Sequence, residues 1–413
     1  SEGYRNAFSA IFDSNFTSII TGIILYVFGT GPIRGFATTL IIGIICSFFT
    51  AVYLTRLVFE KRMNKGKWLN LTFTTGISRN LMTNTHIGFM NFYKKTFSVV
   101  GVIILAAVVS FAVRGLSRSI DFTGGRNYVI TFERPVEPEQ IRGIIANAFP
   151  GTTTSALALG TDHKTIRIST NYKIESNSPT VDDEAETILY KALKKAGFVS
   201  QPNVESFKNP DIREGGSIIS STKVGPSVAK DITHGAILSV VLALFAIFIY
   251  ILIRFRNMAF SIGSTVALAV DTIIVLGVYS LCWGWMPFSL EIDQTFIGAI
   301  LTVIGYSIND KVVVFDRIRE NMQLHQKQDF KTLFNDSINQ TLTRTINTST
   351  STLIVLLCIF FLGGESIRSF SFAMSLGVIV GTLSSIFVAA PIAFLTLGKQ
   401  KGKRRASEAV VKA

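Results

Sequence analysis

The sequence predicts a polytopic α-helical membrane protein of about eight spans that carries one extracytoplasmic α+β domain. Of its 413 residues, 48% are hydrophobic and only 16% are charged, which excludes a wholly soluble globule. Eight apolar runs approach the ~20 residues needed to cross hydrocarbon. One stretch, residues 117–230, replaces these long runs with short alternating patterns and is the predicted outer domain.

The predicted spans are joined by short connections except around the outer domain and one basic linker. Gly29-Thr30-Gly31-Pro32 is a turn signal, so the first two spans form a helical hairpin. Polar, aromatic and acidic residues ahead of the first span predict a separate interfacial helix and no cleavable signal peptide. The eight spans are predicted at residues 16–30, 34–57, 96–116, 232–253, 258–282, 294–315, 338–362 and 368–397.

The net charge of +13 would suit nucleic-acid binding, but the positions of the basic residues indicate membrane topology instead. They cluster in residues 56–95, at Arg254 and Arg256, and in residues 399–405, which the positive-inside rule places in the cytoplasm. Both termini are then cytoplasmic and the outer domain faces the opposite side. The predicted organisation is a hairpin (1–57), a cytoplasmic basic linker (58–95), a span (96–116), the outer domain (117–230), a five-span bundle (231–397) and a basic cytoplasmic tail (398–413).

An internal repeat relates the first hairpin to the last two spans. With an offset of 334 residues, Gly29 matches Gly363, Arg34 matches Arg368 and Phe36 matches Phe370. Residues 1–57 are therefore predicted to be the last two spans of one repeat, followed by a complete second repeat, with the upstream part of the first repeat missing. Such duplication is typical of transporters, whose sites lie at the interface between repeats.

The outer domain is predicted to have the order β-α-β-β-α-β, which indicates a ferredoxin-like fold. Strands are predicted at residues 126–134, 153–159, 164–170 and 216–223, and helices at 137–149 and 180–197. Thr180 and Asp183 form a predicted capping pair for the second helix. No catalytic triad, paired carboxylates or phosphate-binding loop is recognisable, so an enzyme is not predicted.

Three predicted spans carry an ionisable residue in their interior, where it costs roughly 2.5–3.5 kcal/mol on insertion scales and therefore indicates a function or a partner. The candidates are Asp271, Asp310, which has Lys311 beside it, and Arg344. Two polar stripes at helical spacing accompany them, and we expect the stripes to pack against each other. The first stripe is Thr302, Tyr306, Asn309 and Asp310, and the second is Gln340, Arg344, Asn347, Thr348 and Ser351.

These residues predict a proton relay. Because a nearby cation favours an ionised carboxyl and burial opposes it, Asp310 would bind a proton whenever Arg344 withdraws. Asp271 is the third predicted relay residue, although structural hydrogen bonding explains it equally well. Lys311 is turned about 100° from Asp310 on the helix and either reaches the cytoplasmic interface or pairs with another helix.

No cofactor or metal is predicted. The four histidines have no metal-ligand spacing. Cys46, Cys282 and Cys358 all fall in or at the ends of apolar spans, which predicts small core residues and no disulfide.

Several motifs, in order, resemble the SecD/SecF family of protein-export membrane proteins. The SecF-like motifs are "SIDFTGGR" (119–126), "VGPSV" (224–228), "GYSINDKVVVFDRIREN" (305–321) and "QTLTRTINTSTSTL" (340–353). That resemblance runs from about His86 to Leu397, while "GYRNAF" (3–8) and "FGTGPIRGFATTLIIGI" (28–44) resemble the last two spans of SecD.

The resemblance implies an auxiliary component of the Sec translocase in the bacterial inner membrane, related to resistance-nodulation-division transporters and driven by the proton-motive force. Asp310 and Arg344 match the family's relay aspartate and its arginine partner. The implied partners are the Sec translocon channel with its accessory membrane subunits, unfolded preprotein and the missing SecD half, with no nucleic acid. Two positions depart from the family pattern: Lys311 replaces Ser or Thr, and Ser119 replaces Gly, which predicts a less tight turn there.

Gly124, Gly125, Gly225 and Pro226 lie where the outer domain joins its spans and are hinge candidates, although tight turns explain them equally well. Two other functions remain open from sequence. One is a proton-driven small-molecule exporter of the same superfamily, and the other is a passive scaffold of the translocon.

Overall fold

The computed structural model describes residues 2–29, 32–68, 85–160, 162–176, 178–212, 215–286 and 288–399. Turn residues 30–31, linker residues 69–84 and the tail from residue 400 onward therefore lie outside the described residues, and the predictions made for them are not tested.

Eight helices of the described chain are long and apolar enough to cross a membrane, which confirms the predicted number. The first is continuous, so the predicted separate interfacial helix is wrong. Two spans include a π-helical turn, at Thr50–Leu54 after α2 and at Ser385–Ala389 after α13, from which the last span continues to Lys399. The helices are α1 (Glu2–Phe28), α2 (Pro32–Phe49), α3 (Thr55–Met63), α4 (Tyr93–Val113), α5 (Ile120–Thr123), α6 (Pro138–Ala148), α7 (Pro179–Lys195), α8 (Val204–Lys208), α9 (Pro226–Phe255), α10 (Met258–Cys282), α11 (Gln294–Leu324), α12 (Phe330–Leu362) and α13 (Glu365–Ser384).

Polar caps fix where the bundle helices begin. The Asp293 carboxylate accepts a hydrogen bond from the Phe296 amide at 2.8 Å at the start of α11, and the Asn257 side chain accepts from the Ala259 amide at 3.0 Å at the start of α10. Pro226 occupies the first position of α9, where its missing N–H costs no helical hydrogen bond.

Helix α11 lies at the centre of the bundle, packed against α1, α10, α12 and α13. In its membrane-crossing segment 72% is buried, against 11% for α4 at the periphery. Small residues allow α13 to approach closely, since a Cβ added at Gly377 would lie 2.2 Å from the Val303 side chain. The centre of the bundle is thus the place where polar side chains are best shielded from lipid.

The predicted repeat is visible in matching hydrogen bonds. Arg34 Nε donates to the Tyr26 carbonyl at 3.2 Å, and Arg368 Nε donates to the Phe360 carbonyl at 3.3 Å. Each arginine reaches back eight residues across the turn of its hairpin. The repeat-related rings of Phe36 and Phe370 meet edge to face with centroids 5.7 Å apart. The two hairpins therefore share a local fold as well as a sequence pattern.

The outer domain, called the sheet domain from here on (residues 117–225), has the predicted ferredoxin-like fold. Its strands are β1 (Gly125–Thr131), β2 (Thr154–Leu159), β3 (Thr165–Thr170) and β4 (Ser217–Val224). They form one antiparallel sheet in the order β2-β3-β1-β4, in which Tyr128 pairs with Ile168 on one side and Ser221 on the other. Helices α6 and α7 connect the strands, and apolar side chains from both lie in the same core as the sheet.

One detail of the sheet domain was predicted wrongly, and two short helices, α5 and α8, were missed. Helix α7 begins at Pro179 with Ser178 as its N-cap, so Thr180 and Asp183 do not form the predicted capping pair. Proline fixes the entry φ angle and removes one N–H that a cap would have to satisfy, which makes a capping side chain unnecessary.

The sheet domain contacts the bundle directly. The Ser119 amide donates to the Ile292 carbonyl at 3.0 Å, and the Ile292 amide donates to the Ser117 carbonyl at 2.7 Å. Edge strand β2 is also held, because the Glu365 carboxylate at the start of α13 accepts from the Ala158 amide at 3.1 Å. We call the corresponding end of the bundle the sheet-domain end and the opposite one the far end.

Candidate functional site

Asp310 lies near the middle of α11 and is only 4% exposed. Its Oδ2 atom is 3.3 Å from Ser349 Oγ of α12 and 3.2 Å from Thr382 Oγ1 of α13, and those two hydroxyl oxygens are 2.6 Å apart. Three oxygen–oxygen contacts need three hydrogens, whereas the two hydroxyls supply two. A protonated carboxyl supplies the third, so this arrangement fits the neutral form of Asp310.

Arg344 is not paired with Asp310, which is the withdrawn arrangement of the predicted alternation, and the paired arrangement stays a prediction. It is exposed and has no ion pair within 4.0 Å among the described residues. The reason is its position on α12: Ser349, five residues further on, is the side chain that reaches Asp310, so Arg344 lies about 7.5 Å along the helix toward the far end. Arg344 lines one cleft together with Val312 and Val313 of α11.

The two polar stripes meet at Tyr306, whose hydroxyl donates to the Thr348 carbonyl at 3.5 Å, but the rest of the α12 stripe is turned away from α11. Tyr306 donates to Thr352 Oγ1 at 3.0 Å, but Arg344 and Ser351 are exposed and Asn347 and Thr348 are half-buried. The face that α12 buries is turned by about 100° from the predicted stripe. It carries Ser337, Thr341, Thr345 and Ser349.

The remaining stripe residues bond locally or at the far end. Thr302 Oγ1 donates to the Gly298 carbonyl at 2.7 Å within its own helix. Gln340 accepts from Asn321 Nδ2 at 3.1 Å, which links α11 to α12 near the far end. Asn309 is half-buried beside Asp310. These contacts support helix packing without bringing a further charge to Asp310.

Asp271 of α10 is paired with Lys311. From sequence, the partner of that lysine was left open. Lys311 Nζ lies 2.9 Å from Asp271 Oδ2, with the two side chains 0% and 1% exposed. Ser307 Oγ donates to the same carboxylate oxygen at 2.7 Å. The alternative in which Lys311 extends to the membrane surface is therefore wrong.

A third buried carboxylate of the bundle, Asp13 of α1, was missed by sequence reasoning. It accepts from the Tyr250 hydroxyl at 2.6 Å and from Arg254 Nε at 2.7 Å, both on α9. The repeat offers a signal that would have found it, because the offset of 334 residues matches Asp13 with Asn347 of the polar stripe. Arg254, assigned from sequence to a loop, thus holds the first hairpin to the bundle.

A charged cleft of about 220 Å³ enters the bundle from the far end. Val313, one of its walls, is three residues from Asp310, or about 4.5 Å along α11. Thr345 lies between the cleft residue Thr341 and Ser349 on one face of α12, and its hydroxyl is buried with no hydrogen-bond partner among the described residues. The cleft is lined by Asp13, Val312, Val313, Asp316, Arg317, Glu320, Gln340, Thr341 and Arg344.

Carboxylates also gather where the sheet domain meets the bundle. Burial raises the pKa of Glu291 above its ordinary value of 4.5, with the neighbouring charge of Asp293 acting in the same direction. Burial likewise raises the pKa of Asp121, which is also close to Asp293. This junction therefore favours protonated carboxyls more than open solvent does.

The four hinge candidates have different structural roles. Gly124 has φ +76° at the end of α5, a conformation that favours glycine. A Cβ on Gly125 would lie 2.7 Å from the Thr170 carbonyl, so close packing of β1 explains that glycine. Gly225 caps α9 with ordinary extended angles, and Pro226 opens the helix. Ser119 needs no glycine, because it has φ −69° and its side chain accepts from the Asp121 amide.

The cysteines are free, as predicted, but two of them are not core residues. Cys46 and Cys358 are exposed on the apolar surface of the bundle, and Cys282 is half-buried. A small apolar thiol suits a lipid-facing position as well as a packed one.

The family described as "Protein export membrane protein SecD/SecF, C-terminal" matches residues 206–399, and the "SecD/SecF GG Motif" matches residues 109–136. The protein translocase subunit SecF of Rhodothermus marinus is 40% identical over 329 residues, which cover 80% of this chain and 99% of that protein. The chain belongs to the SecD/SecF family. Asp310, Arg344 and the Gly124-Gly125 pair all lie within those matches.

Longer relatives show where this chain fits. The protein translocase subunit SecDF of Thermus thermophilus is 33% identical over 99% of this chain, which spans 50% of that protein. A crystal structure of SecDF, described as a translocon-associated membrane protein from Thermus thermophilus, superposes with a TM-score of 0.75 at 30% identity, covering 97% of this chain and 49% of that one. The chain spans about half the length of the SecDF proteins it matches.

Proposed function

We propose that this chain is an auxiliary part of the Sec protein translocase in the bacterial inner membrane, and that it uses the proton-motive force to promote preprotein export. The observation that carries the proton-coupled part is the environment of Asp310, a central buried carboxyl whose hydrogen-bond partners fit its protonated form. Family membership supports export over the small-molecule exporter of the same superfamily.

The sheet domain faces the outside in this proposal, and the far end faces the cytoplasm with both termini. Arg254, Arg256 and the basic residues up to Lys67 lie at the far end, as the positive-inside rule requires of a cytoplasmic surface. The charged cleft then opens toward the cytoplasm and leads water close to Asp310.

In the proposed exchange, Asp310 takes a proton from the outer side and releases it toward the cleft. Ser349 and Thr382 orient the neutral carboxyl. Arg344 favours release when it swings from the cleft wall toward Asp310, because a nearby cation stabilises the ionised carboxylate. The buried hydroxyl of Thr345 lies on the route from Ser349 to the cleft and is free to bond a passing water. Asp271, which sequence predicted as a third relay residue, is given no proton transfer in this exchange.

The proposed partners are the Sec translocon channel and its accessory subunits, unfolded preprotein and the remaining SecD half. The exposed polar stripe of α12 supports the last of these, because polar side chains that face lipid are unfavourable and need a covering helix. We place the hinge of the sheet domain at Gly124. Of the four candidates, Gly124 alone has a positive φ angle, and the other three have negative φ angles.

Pulse-chase processing of an exported precursor tests the proposal in cells whose only copy of the complete protein carries Asp310→Asn. We expect maturation to slow as it does in a deletion strain, with normal membrane levels by blotting. Asn keeps the size and polarity of the side chain and cannot exchange a proton. Normal maturation would favour the passive scaffold. Asn309→Asp/Asp310→Asn tests whether a carboxyl one position away suffices, and we expect no recovery.

A further inference from the structure

We propose that Lys311 is a fixed counter-ion: its ammonium group keeps Asp271 permanently ionised and holds α11 against α10 and α13, so that Asp310 alone exchanges protons. Lys311 and Asp271 are then positioning residues, and Asp271 does not take the relay role predicted for it. The part about Asp310 rests on the proposed function. The pairing of Lys311 with Asp271 does not.

The contacts of the ammonium group determine its charge. Lys311 Nζ is 2.9 Å from Asp271 Oδ2, 2.5 Å from Ser307 Oγ and 3.0 Å from Ser384 Oγ. A protonated lysine has three N–H donors and no acceptor. Each of these three oxygens can take one donor, and the Ser307 carbonyl lies further away at 3.4 Å, so the geometry matches the charged form of the side chain.

The hydroxyl hydrogens of Ser307 and Ser384 also fit a charged lysine. Ser307 Oγ donates to Asp271 Oδ2 at 2.7 Å, and Ser384 Oγ donates to the Gly381 carbonyl at 3.1 Å. Each hydroxyl therefore accepts from the lysine while its own hydrogen points elsewhere. Asp271 Oδ2 accepts two hydrogens and needs none of its own. The contacts of Asp271 Oδ2 are those of an ionised carboxylate, and its Oδ1 atom has no hydrogen-bond partner among the described residues. The three contacts around Asp310, in contrast, are complete when that carboxyl is protonated.

The network joins three helices with one side chain. Asp271 belongs to α10, Ser307 and Lys311 to α11, and Ser384 to α13. Asp310 is the residue next to Lys311, so holding Lys311 fixes the rotation of α11 that turns Asp310 toward Ser349 and Thr382. The pair thereby positions the exchanging carboxyl without touching its hydrogen-bond partners.

Other charges are too far along the helices to replace either partner. Asp271 is the only ionisable side chain in the sequence of α10 apart from Tyr279 and Cys282 near its end, and the charged residues of α13, Glu365 and Arg368, lie at the sheet-domain end. Arg368 precedes Ser384 by sixteen residues, about 24 Å of helix. Lys94 and Lys95 of α4 and Arg254 of α9 lie toward the far end. Asp310 points to α12 and α13.

The first test compares single and double variants of the complete protein in its own cells. Lys311→Met removes the charge and keeps the length of the side chain, and Asp271→Asn removes the opposite charge. We expect each single variant to lower the membrane level and the thermal midpoint, because each leaves one buried charge uncompensated. Lys311→Met/Asp271→Asn is expected to regain most of both. Lys331→Met, at an exposed lysine, is the matched control and should change neither.

Export separates positioning from proton exchange. If the pair only positions α11, the double variant, once present at normal membrane level, retains at least half of the wild-type rate of precursor maturation. A double variant that is present at normal level yet as inactive as Asp310→Asn would overturn the proposal, because Asp271 or Lys311 would then take part in the exchange. A fully stable and active Lys311→Met would overturn it as well, because Asp271 would need no counter-ion.

A spectroscopic readout tests the charge states directly. In the purified complete protein, infrared difference spectra between acidic and alkaline pH report the C=O stretch of protonated carboxyls. We expect a buried-carboxyl band that disappears in Asp310→Asn and persists in Asp271→Asn. In Lys311→Met a second band should appear and should vanish when Asp271→Asn is added. A wild-type band that is lost in Asp271→Asn would show that Asp271 itself titrates.

The two proposals fail separately. An active Asp310→Asn contradicts proton coupling through Asp310 and leaves the stability results of the Lys311 and Asp271 variants as they are. If the double variant Lys311→Met/Asp271→Asn loses as much in the thermal midpoint as the two single variants together, the counter-ion proposal is wrong. Proton coupling through Asp310 is unaffected by that result.

Discussion

The membrane bundle and the sheet domain each contain a buried cation that is paired with a carboxylate, but the surroundings of the two pairs differ. Lys311 faces Asp271, and the two side chains are 0% and 1% exposed. Arg126 of β1 is equally buried, with its side chain 2% exposed, but its partner Asp182 is 42% exposed. In the bundle both charges are removed from water. In the sheet domain water still solvates the carboxylate.

The difference extends to the surrounding groups. Arg126 also donates to the Tyr172 carbonyl, and Lys223 Nζ lies 3.7 Å from Asp182 as a second cation. Asp271 has a single cationic partner among the described residues. Each pair contains one buried atom with no hydrogen-bond partner among the described residues, Asp271 Oδ1 in the bundle and Arg126 Nη2 in the sheet domain. The free energy of unfolding that is lost when an ion pair is broken therefore depends on whether the remaining charge can reach water or another polar group.

The largest expected effect comes from removing one carboxylate charge in each region. Asp271→Asn leaves Lys311 buried without a counter-charge and should cost about 3–5 kcal/mol in the free energy of unfolding. Asp182→Asn should cost only about 1–2 kcal/mol, because Arg126 keeps the Tyr172 carbonyl and a nearby solvated amide. Chemical denaturation in detergent micelles, followed separately by bundle and sheet-domain probes, measures both. Equal losses would refute the comparison.

An intermediate effect is expected at the contact between the two regions. Glu365→Gln keeps an acceptor for the Ala158 amide but removes its charge, so we expect a loss of about 1 kcal/mol in the local opening free energy of β2. Hydrogen exchange of the Ala158 amide reports that opening. Glu365→Ala should expose it further, while the Ala156 amide on the same strand serves as the internal reference. Unchanged exchange at Ala158 in both variants would mean that other contacts hold β2.

A smaller, pH-dependent effect is expected from Glu291. Its pKa is raised in the folded protein, mainly by burial, so it contributes stability below its ordinary pKa of 4.5, and that contribution is lost as pH rises through the raised pKa. The protein should therefore melt at a lower temperature near pH 7 than near pH 5. Glu291→Gln should flatten this dependence. The thermal midpoint at several pH values measures it, with Glu320→Gln, at an exposed carboxyl, as the matched variant. A slope that is the same in both variants would exclude Glu291 as its source.

The smallest effect is expected at an open surface pair of the sheet domain. Lys173 and Glu184 lie 2.9 Å apart and about half of each side chain is exposed. Water and salt screen such a pair. Lys173→Met should leave the thermal midpoint of the sheet domain unchanged within error at physiological ionic strength, and a clear loss would show that exposure is a poor guide to the strength of these pairs.

Sequence predicted the elements of this fold well because their patterns are local. Long apolar runs identified the spans, alternation identified the strands, and the offset of 334 residues identified a repeat whose arginines make matching hydrogen bonds. Sequence predicted the site less well because side-chain contacts depend on helix rotation. A turn of about 100° buries Thr345 and Ser349 instead of Arg344 and Thr348, and no periodicity within α12 distinguishes two adjacent polar faces.

The side chains that contact the buried charged residues were the feature that sequence predicted least well. Asp271, Asp310 and Arg344 were singled out, but the hydroxyls of Ser349 and Thr382 beside Asp310 were not predicted, and Lys311 was left between two alternatives. Asp13 was overlooked because it precedes the first predicted span and was assigned to an interfacial helix, and its partners Tyr250 and Arg254 lie more than two hundred residues away in sequence. Contacts of that range leave no pattern in a single sequence.

The pairing of Asp271 with Lys311 also sets an order of events during synthesis. The two residues are 40 positions apart, so at ~5–20 residues per second the carboxylate is made about 2–8 s before its counter-ion. During that interval α10 has no ammonium to neutralise it, so its release into lipid is unfavourable until α11 arrives. Helices α10 and α11 should therefore leave the insertion machinery together, and Ser384 joins them only when α13 has been made.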